Sequence, residues 1–585
     1  MVNIISDDRF IVDIDLNTKK NALYPVPEKL KSKGGRYITS SLVAEETDPN
    51  IHPLSPENNL YIAPGFLSGT PCPSSGRASF GTKSPLTSGI KESNVGGNLG
   101  TYAAKLGIAA IKMRGSSGGA NVIVIEEKEG KEGPKVSFET LNNIKGKETY
   151  EAVSILRENY GTDTCEVVVG PAGENEYASA CICVTDVDGK PTRQAGRGGV
   201  GAVLGSKGIK AIVFKNPSKS RIEYNDKNKY MENVKVLVDI LKKSDVTSDV
   251  LPNYGTIKTM DAVNDHGALP TRNFSDGVFE GVTKIGGEAM RKIILKRGAN
   301  PTHNCMPGCI IKCSNTYNDK KGEEITGGFE YECIWALGAN CGIDDLDYIA
   351  YMNRICDELG LDCIETGDTL AVIMESGYIS FGDKKGAVKL LNEIRKNTAL
   401  GRIVASGCTV AGKAFGVKRV PQVKGQGLPA YDPRGIKGLG TTFATSTMGA
   451  DHTAGFTYAV EIGELGRTSD PLSNKGKIAL SREFQQCSAL LDSAGLCLFV
   501  SLATLADKRG LKPVAEMMNS KYGTSFNEDE LLSIIGNEVL LTEKDFNRRC
   551  GFSDYSNDLP EFFRSEKLPT LKTVYDVSQD ELINF

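Results

Sequence analysis

The sequence lacks any long run of charge of one sign, any uninterrupted apolar stretch of membrane-spanning length, any short-period repeat and any low-complexity tract, and it has a single tryptophan in 585 residues. Each absence excludes something. The 69 basic and 73 acidic residues are interspersed and leave a formal charge of −4, so neither nucleic acid nor an anionic membrane is implied as a partner. The N-terminus, MVNIISDDRFIVDIDLNTKK, meets aspartates before it builds an apolar core. With no apolar span to follow, the chain is expected to be cytoplasmic. The missing repeat argues against a solenoid. What is present is a hydrophobic content of 40%, enough in a chain of this length to bury several cores. Fifteen cysteines could suggest a disulfide framework. This is not a short, secreted, loop-rich sequence, however, and three of them crowd into nine residues, so reduced thiols and metal binding are expected instead.

The texture of the chain changes along its length and points to an α+β protein. Up to about residue 215, short β-branched runs (RFIVDID, NVIVIEE, CEVVVG, IKAIVF) alternate with turns such as GKEG and DVDGKPT, the pattern of strands and hairpins. From about 226, apolar residues recur every three or four positions, as in KNKYMENVKVLVDILKKS and GGEAMRKIILKRG, which predicts helices. A further helix is expected over Leu346–Leu359, capped by Asp344 or Asp345 and stopped at Gly360. VPQVKGQGLPAYDPRG breaks helical periodicity near 420. The expected division is therefore a β-rich part over 1–215 and two mainly helical parts over 216–424 and 425–585.

Three features carry chemistry. The first is Cys305-Met-Pro-Gly-Cys309-Ile-Ile-Lys-Cys313, where Pro307 and Gly308 disfavour a continuous helix and let the thiols converge from a loop. A cuboidal cluster needs a fourth ligand. Cys497, an isolated thiol after a glycine turn in LDSAGLCLF, is the candidate, although spacing alone does not single it out. An iron–sulfur cluster, a structural Cys₄ zinc site and plain burial all remain open on this triplet. The second feature is glycine-rich. GRGGVG at 196–201 satisfies G-x-G-x-x-G, but the polar segment before it cannot be the first strand of a dinucleotide-binding unit. What remains is an anion-binding loop with Arg193 and Arg197, and a second one at Gly76-Arg77 with Ser93-Asn94-Val95-Gly96-Gly97; two ordinary β-turns with surface arginines are the plainer alternative. The third is a repeated DxxGL, at Asp357–Leu361 and Asp492–Leu496, each able to end a helix on a glycine and offer an aspartate to a ligand's N–H groups.

Taken in order, SGRASFGTKSPLT, SNVGG, GPAGEN, RQAGRGGVGAVLGSKGIKAI, FEYECIWALGAN, CDELGLD, LPAYDPRG and LDSAGLC resemble the aldehyde:ferredoxin oxidoreductases, and the resemblance covers nearly the whole chain. It implies a β-rich domain forming a base for two helical domains, with a tungsten or molybdenum bis-pyranopterin at their junction and a [4Fe–4S] cluster beside one pterin. Carried over residue by residue, Arg77, Asn94, Gly96, Arg193, Gly196 and Arg197 become pterin and phosphate contacts. Asn94 and the carbonyl of Gln194 become ligands of a Mg2+ bridging the phosphates; the family usually has alanine at the latter position, and a backbone contact tolerates the change. Asp357, Leu361, Asp362, Cys363, Asp492, Leu496 and Leu498 fall to the cofactor, and Cys305, Cys309, Cys313 and Cys497 to the cluster. The first gap of the triplet is one residue longer than in the archaeal enzymes.

The same resemblance makes Glu332 the proton acceptor and His452 the donor to a polarised carbonyl; from the residues alone these read as a structural acid beside Trp335 and a turn histidine. It also implies an aldehyde substrate, oxidised to the acid, and ferredoxin or a partner subunit as electron acceptor. The alternatives are a low-potential reductase of an activated or aromatic acid, and an electron-transfer subunit without catalytic metal. Cys363, where the archaeal enzyme has threonine, is expected to face the active metal, either ligating it or lying within a few ångströms. A homodimer would lack the family's intersubunit iron, because Tyr351 and Arg354 stand where the archaeal enzyme has its Glu-x-x-His pair.

Overall fold

The computed structural model describes residues 7–119, 121–128 and 133–585. The expected GKEG turn at 130–133 and the first six residues of the N-terminal stretch therefore lie, wholly or mostly, outside the described residues.

The first 215 residues carry twelve strands: β1 Phe10–Asp15, β2 Lys20–Pro25, β3 Leu60–Pro64, β4 Ala78–Lys83, β5 Ile90–Val95, β6 Ile108–Arg114, β7 Val122–Glu127, β8 Pro134–Glu139, β9 Thr164–Val169, β10 Ile182–Val184, β11 Arg193–Ala195 and β12 Ala211–Lys215. They form two six-stranded sheets, ordered β2-β1-β6-β3-β4-β5 and β8-β7-β12-β9-β10-β11. The second order is the first with six added to every strand. The pairing senses agree as well, since β1·β6 and β7·β12 are parallel and the remaining neighbours antiparallel. Helices fall at matching places, Gly35–Glu46 with Thr149–Tyr160 and Leu99–Lys105 with Val200–Ser206. The base is one supersecondary unit used twice.

Alternation along the strands explains its layers. Ile62 of β3 and Val167 and Val169 of β9 point into a core shared by both sheets, whereas Tyr61 and Ala63 pack under helix Gly35–Glu46 and Val168 under the Thr149–Tyr160 side. CEVVVG is apolar at nearly every position because both of its faces are covered.

Downstream the chain is mainly helical. Lys227–Lys243 is capped by the Asp226 carboxylate, and Leu346–Leu359 runs from Asp345, which accepts from the N–H groups of Asp347 and Tyr348, to Gly360 in the left-handed region. Asp344 takes no part in that cap and instead meets Lys284. Between Gln422 and Gly427 the chain makes only a two-residue hairpin, and helix resumes at Lys437. Among the described residues no helix is long and apolar enough to cross a membrane.

Two glycines let the helical part sit on the base. A Cβ on Gly170, just after β9, would lie 2.2 Å from the Leu359 carbonyl oxygen; one on Gly65, just after β3, would lie 2.0 Å from the Gly495 nitrogen. These are equivalent points of the two halves, and each receives one DxxGL turn.

Candidate functional site

The base offers matching groups from each half. Asn94 on β5 sits opposite Ser79, and Gln194 on β11 opposite Cys183, so the two are counterparts; two residues further on, Gly96 and Gly196 correspond. Arg77 donates from Nε to the Asn94 side-chain oxygen, and Arg193 donates from Nε and Nη2 to the Thr192 hydroxyl at 3.2 Å. Both guanidiniums thus rest on neutral groups, which leaves their charge for an anion. They meet at Gly96, where a Cβ would be 3.7 Å from Arg77, 3.9 Å from Arg193 and 3.5 Å from the Cys305 carbonyl oxygen. Over Gly196 the nearest group is the Cβ of Gln194 at 4.0 Å, so the backbone there is open to a ligand.

The Arg197 guanidinium bonds Asp362 at 3.1 Å and the carbonyls of Ala450 and Gly427 at 2.8 Å each, so it clamps three loops together. The strand leading into GRGGVG is a three-residue antiparallel edge strand, unlike the parallel strand that a dinucleotide site requires.

Both DxxGL copies close a helix in the same way. Gly360 and Gly495 adopt φ 72° and 76°, and the N–H groups of Leu361 and Leu496 return to Cys356 and Leu491, each at 2.9 Å, a left-handed helix end with its carbonyls satisfied. The aspartates face protein groups. Asp357 accepts from Gln194 Nε2 at 2.8 Å and from Thr326 and Asn353 at 3.1 Å, and burial pushes its carboxyl up to about 7 against the pull of those bonds and of Arg354 and Arg193. Asp492 meets Arg36 at 3.3 Å; burial raises it to about 6, opposed by Arg36 and Arg77. Asp362 caps helix Cys363–Glu375 through the N–H groups of Ile364 and Glu365. Cys363 opens that helix, partly buried, and a hydrogen bond with the Cys333 thiol is the leading cause that raises its own thiol well above the usual range.

The four selected thiols gather beside this face. Gly308 (φ 73°) turns the loop. Gly97 N–H donates to the Cys305 carbonyl at 2.9 Å, Ser74 N–H to the Gly308 carbonyl at 3.0 Å, and Cys497 N–H to the Ser74 carbonyl at 2.9 Å, so Ser74 holds the loop and Cys497 together. Leu498 begins the turn after it, its carbonyl accepting from Ser501. The hydrogen bond from Cys305 and the N–H groups of Lys312 and Ile311 hold Cys309 down to about 6, while burial keeps Cys313 high and lifts Cys497 to about 11 against the charge of Arg77. Among the described residues no three His, Cys, Asp or Glu side chains close tightly enough on one point to hold a single ion. A cluster whose irons each take one thiolate needs its ligands spread around its own body, and this set of four soft donors suits it.

The resemblance's catalytic pair is brought together from positions 120 residues apart. Glu332, near the start of helix Tyr331–Leu337, accepts from Ala430 N–H at 3.0 Å through Oε2. Its Oε1 lies 3.5 Å from His452 Nδ1, and both atoms are buried without a hydrogen-bond partner among the described residues. Such orphaned atoms are costly unless a ligand or water meets them. Burial raises the Glu332 carboxyl, opposed by His452 and the Ala430 N–H. Sequence reasoning missed Tyr431, whose ring stands 5.8 Å from that of His452, and Asp451, which pairs with Lys91 at 3.5 Å. Asp451 works against its own burial: Lys91, Arg197 and His452 hold it well below the usual carboxylate range. Adjacency to His452 was the one available signal for Asp451.

Residues 11–216 match the family description "Aldehyde ferredoxin oxidoreductase, N-terminal domain", and residues 232–583 match its domains 2 and 3. The chain is 36% identical to the tungsten-containing aldehyde ferredoxin oxidoreductase of Pyrococcus furiosus, covering 96% of this chain and 92% of that protein. It is 35% identical to the protein so described from Thermococcus kodakarensis, over 95% and 91%. A more distant relative, at 26% over 91% and 84%, is the WOR-like subunit of the aliphatic sulfonate oxidoreductase of Pyrococcus furiosus. The solved active site complex BamBC of benzoyl coenzyme A reductase with 1,5-dienoyl-CoA superposes with a TM-score of 0.80 over 97% of this chain and 93% of that one; at 18% identity this is a likeness of fold.

Proposed function

The chain belongs to the aldehyde ferredoxin oxidoreductase family and is an oxidoreductase; from that premise we propose that it oxidises an aldehyde to the carboxylic acid at a tungsten- or molybdenum-pterin site, passing electrons through a [4Fe–4S] cluster to ferredoxin or a partner subunit. The observation that carries the reading is the Glu332–His452 pair, a carboxylate oxygen and an imidazole nitrogen 3.5 Å apart, neither with a hydrogen-bond partner among the described residues. Arg77, Arg193 and the backbone at Gly96 and Gly196 would hold the pterin phosphates, with Asn94 and the Gln194 carbonyl on a bridging Mg2+, one from each half of the base. The two DxxGL turns would each bear on one pterin, and Cys305, Cys309, Cys313 and Cys497 would bind the cluster. When bound, the metal-pterin group supplies the two-electron acceptor.

The protein's own part is proton chemistry and orientation. Glu332, kept weakly acidic by burial, takes a proton from the water that attacks the carbonyl carbon, and His452 donates to the carbonyl oxygen as negative charge develops on it. Tyr431 and Phe456 flank the His452 ring, which fixes its plane and limits water. The fold likeness to a reductase complex and the thiol at Cys363 leave one second reading, reduction of an activated or aromatic acid. Elemental analysis of anaerobically purified protein should find about four irons and one tungsten or molybdenum per chain, and a panel of aldehydes with a viologen dye should show dye reduction. Stoichiometric zinc with neither heavy metal would sink the reading; the metals present with activity on aromatic acids alone would favour the second.

A further inference from the structure

A third carboxylate stands behind Glu332 without a task in that scheme. Asp368 lies on helix Cys363–Glu375, completely buried. Its Oδ1 accepts from Asn340 at 2.9 Å, and its Oδ2 has no hydrogen-bond partner among the described residues. One short segment, Gly427–Ala430, links it to the site. Ala430 N–H donates to Glu332 at 3.0 Å, and Gly427 N–H donates to Glu365 at 2.8 Å. The Asp368 Oδ2 sits so close to Gly427 that a Cβ there would be 2.2 Å from it. Three buried carboxylates are thus strung along four residues of backbone. Glu365 also accepts from the N–H of Cys408 at 2.9 Å, at the start of a helix whose next residues, Thr409 and Val410, reach solvent.

We propose that Asp368 is a proton-transfer residue, collecting the proton that Glu332 takes from water and releasing it outward past Glu365. The inference rests on the oxidation proposed above. That reaction, RCHO + H2O → RCOOH + 2 H+ + 2 e−, sends its electrons to the bound redox centre and on to ferredoxin, but it leaves two protons to a site with one base. Glu332 can accept the second only after losing the first. Burial first, and then the charges of Glu365, Asp362 and Glu332, outweigh Arg197 and raise the Asp368 carboxyl well above the ordinary range, which favours its protonated form. In that form Asp368 passes its proton to Glu365 and becomes a carboxylate that draws the next one from Glu332, whose charge already acts on it. Glu365, bonded to two backbone N–H groups and 3.5 Å from Arg197, has its own carboxyl raised by burial, and so can take that proton on toward the surface at Thr409 and Val410. Asn340, which holds Oδ1, the glycine backbone at 427 and the buried thiols of Cys341 and Cys408 also face Asp368.

Asp368→Asn keeps the shape and removes the exchangeable proton. With iron and tungsten or molybdenum content equal to wild type, it should lower kcat about 10-fold or more, leave KM unchanged and enlarge the solvent deuterium isotope effect on kcat; Asp368→Glu should recover part of the rate. Wild-type kcat and isotope effect in the asparagine variant would overturn the relay. A second measurement needs no turnover. Infrared spectra of the full protein labelled with carbon-13 at aspartate, taken above about pH 8 where Asp357 at about 7 and Asp492 at about 6 are ionised, should show a protonated-carboxyl carbonyl band that vanishes in Asp368→Asn. No such band in wild type would overturn the relay even if the variant folded poorly. A metal-replete wild type inactive on every aldehyde would instead sink the functional reading on which the relay rests.

Discussion

Glu332 shows how much a single side chain's role depends on what reaches it from elsewhere. Its helix holds it in place and the Ala430 N–H occupies one oxygen, so the other is aimed at His452. A base must be ionised to act, and burial raises this carboxyl; the acidic limb of kcat/KM should therefore lie above the ordinary glutamate range of about 4.3, with activity rising as pH increases through it. Glu332→Gln should keep metal and cluster, lose turnover by about 10²-fold or more and abolish that limb; full activity at full metal occupancy would exclude the role. A second residue, Cys363, tests the environment of the metal. X-ray absorption at the metal edge should show one sulfur beyond the pterin dithiolenes, lost in Cys363→Ser, if the thiol ligates; identical spectra would leave it as a neighbour bonded to Cys333. Neither Glu332 nor His452 could be selected by local pattern, since each looks ordinary until the 430 and 450 loops meet the 332 helix. Asp368 was hidden for the same reason: its meaning lies in Gly427 and Asn340, far along the chain.

At the level of elements, the legible parts were those that local physics decides. Periodicity and two terminal signals gave Leu346–Leu359 its full extent, because an aspartate cap and a left-handed glycine act within one turn. The repeated DxxGL was visible too, and its two copies share one geometry. What they dock against was not visible, because Gly65 and Gly170 are single glycines among 64, and their importance comes from the backbone that approaches them. Alanine at Gly170 would set a methyl 2.2 Å from the Leu359 carbonyl oxygen, and at Gly65 2.0 Å from the Gly495 nitrogen. Neither neighbour is a flexible side chain, so the turn itself must move, at a cost on the order of 1–3 kcal/mol or more. Gly170→Ala should lower thermal stability and reduce pterin content, whereas Gly161→Ala, where no atom lies within 4 Å, should lose stability through its φ of 89° alone and keep its pterin. Equal pterin loss in both variants would show that docking at Gly170 is not what positions the first turn.

The base as a whole is a duplication, and the sequence conceals it. Its period is over a hundred residues, and what is kept is strand order and pairing sense, which constrain hydrophobic alternation but not residue identity. Asn94 and Gln194 illustrate the divergence: equivalent positions, different side chains, united by a backbone location. Two halves that each receive one helical turn would make the proposed site at their junction within one chain. The helix before the first DxxGL bears on this directly. Tyr351 on it is 45% exposed, and a phenol binds iron only after losing its proton. Arg354, one turn on, lays its guanidinium 3.3 Å over the Tyr150 ring and bonds Glu358 at 2.8 Å, a cation already committed to its own chain and unable to act as a ligand. Whatever oligomer forms, iron should therefore total about four per chain, all of it lost together when the cluster is oxidatively destroyed. Mössbauer spectra of iron-57-enriched protein would check this, for a mononuclear high-spin ferrous signal that survives cluster loss and scales with dimer content would place an iron between chains after all.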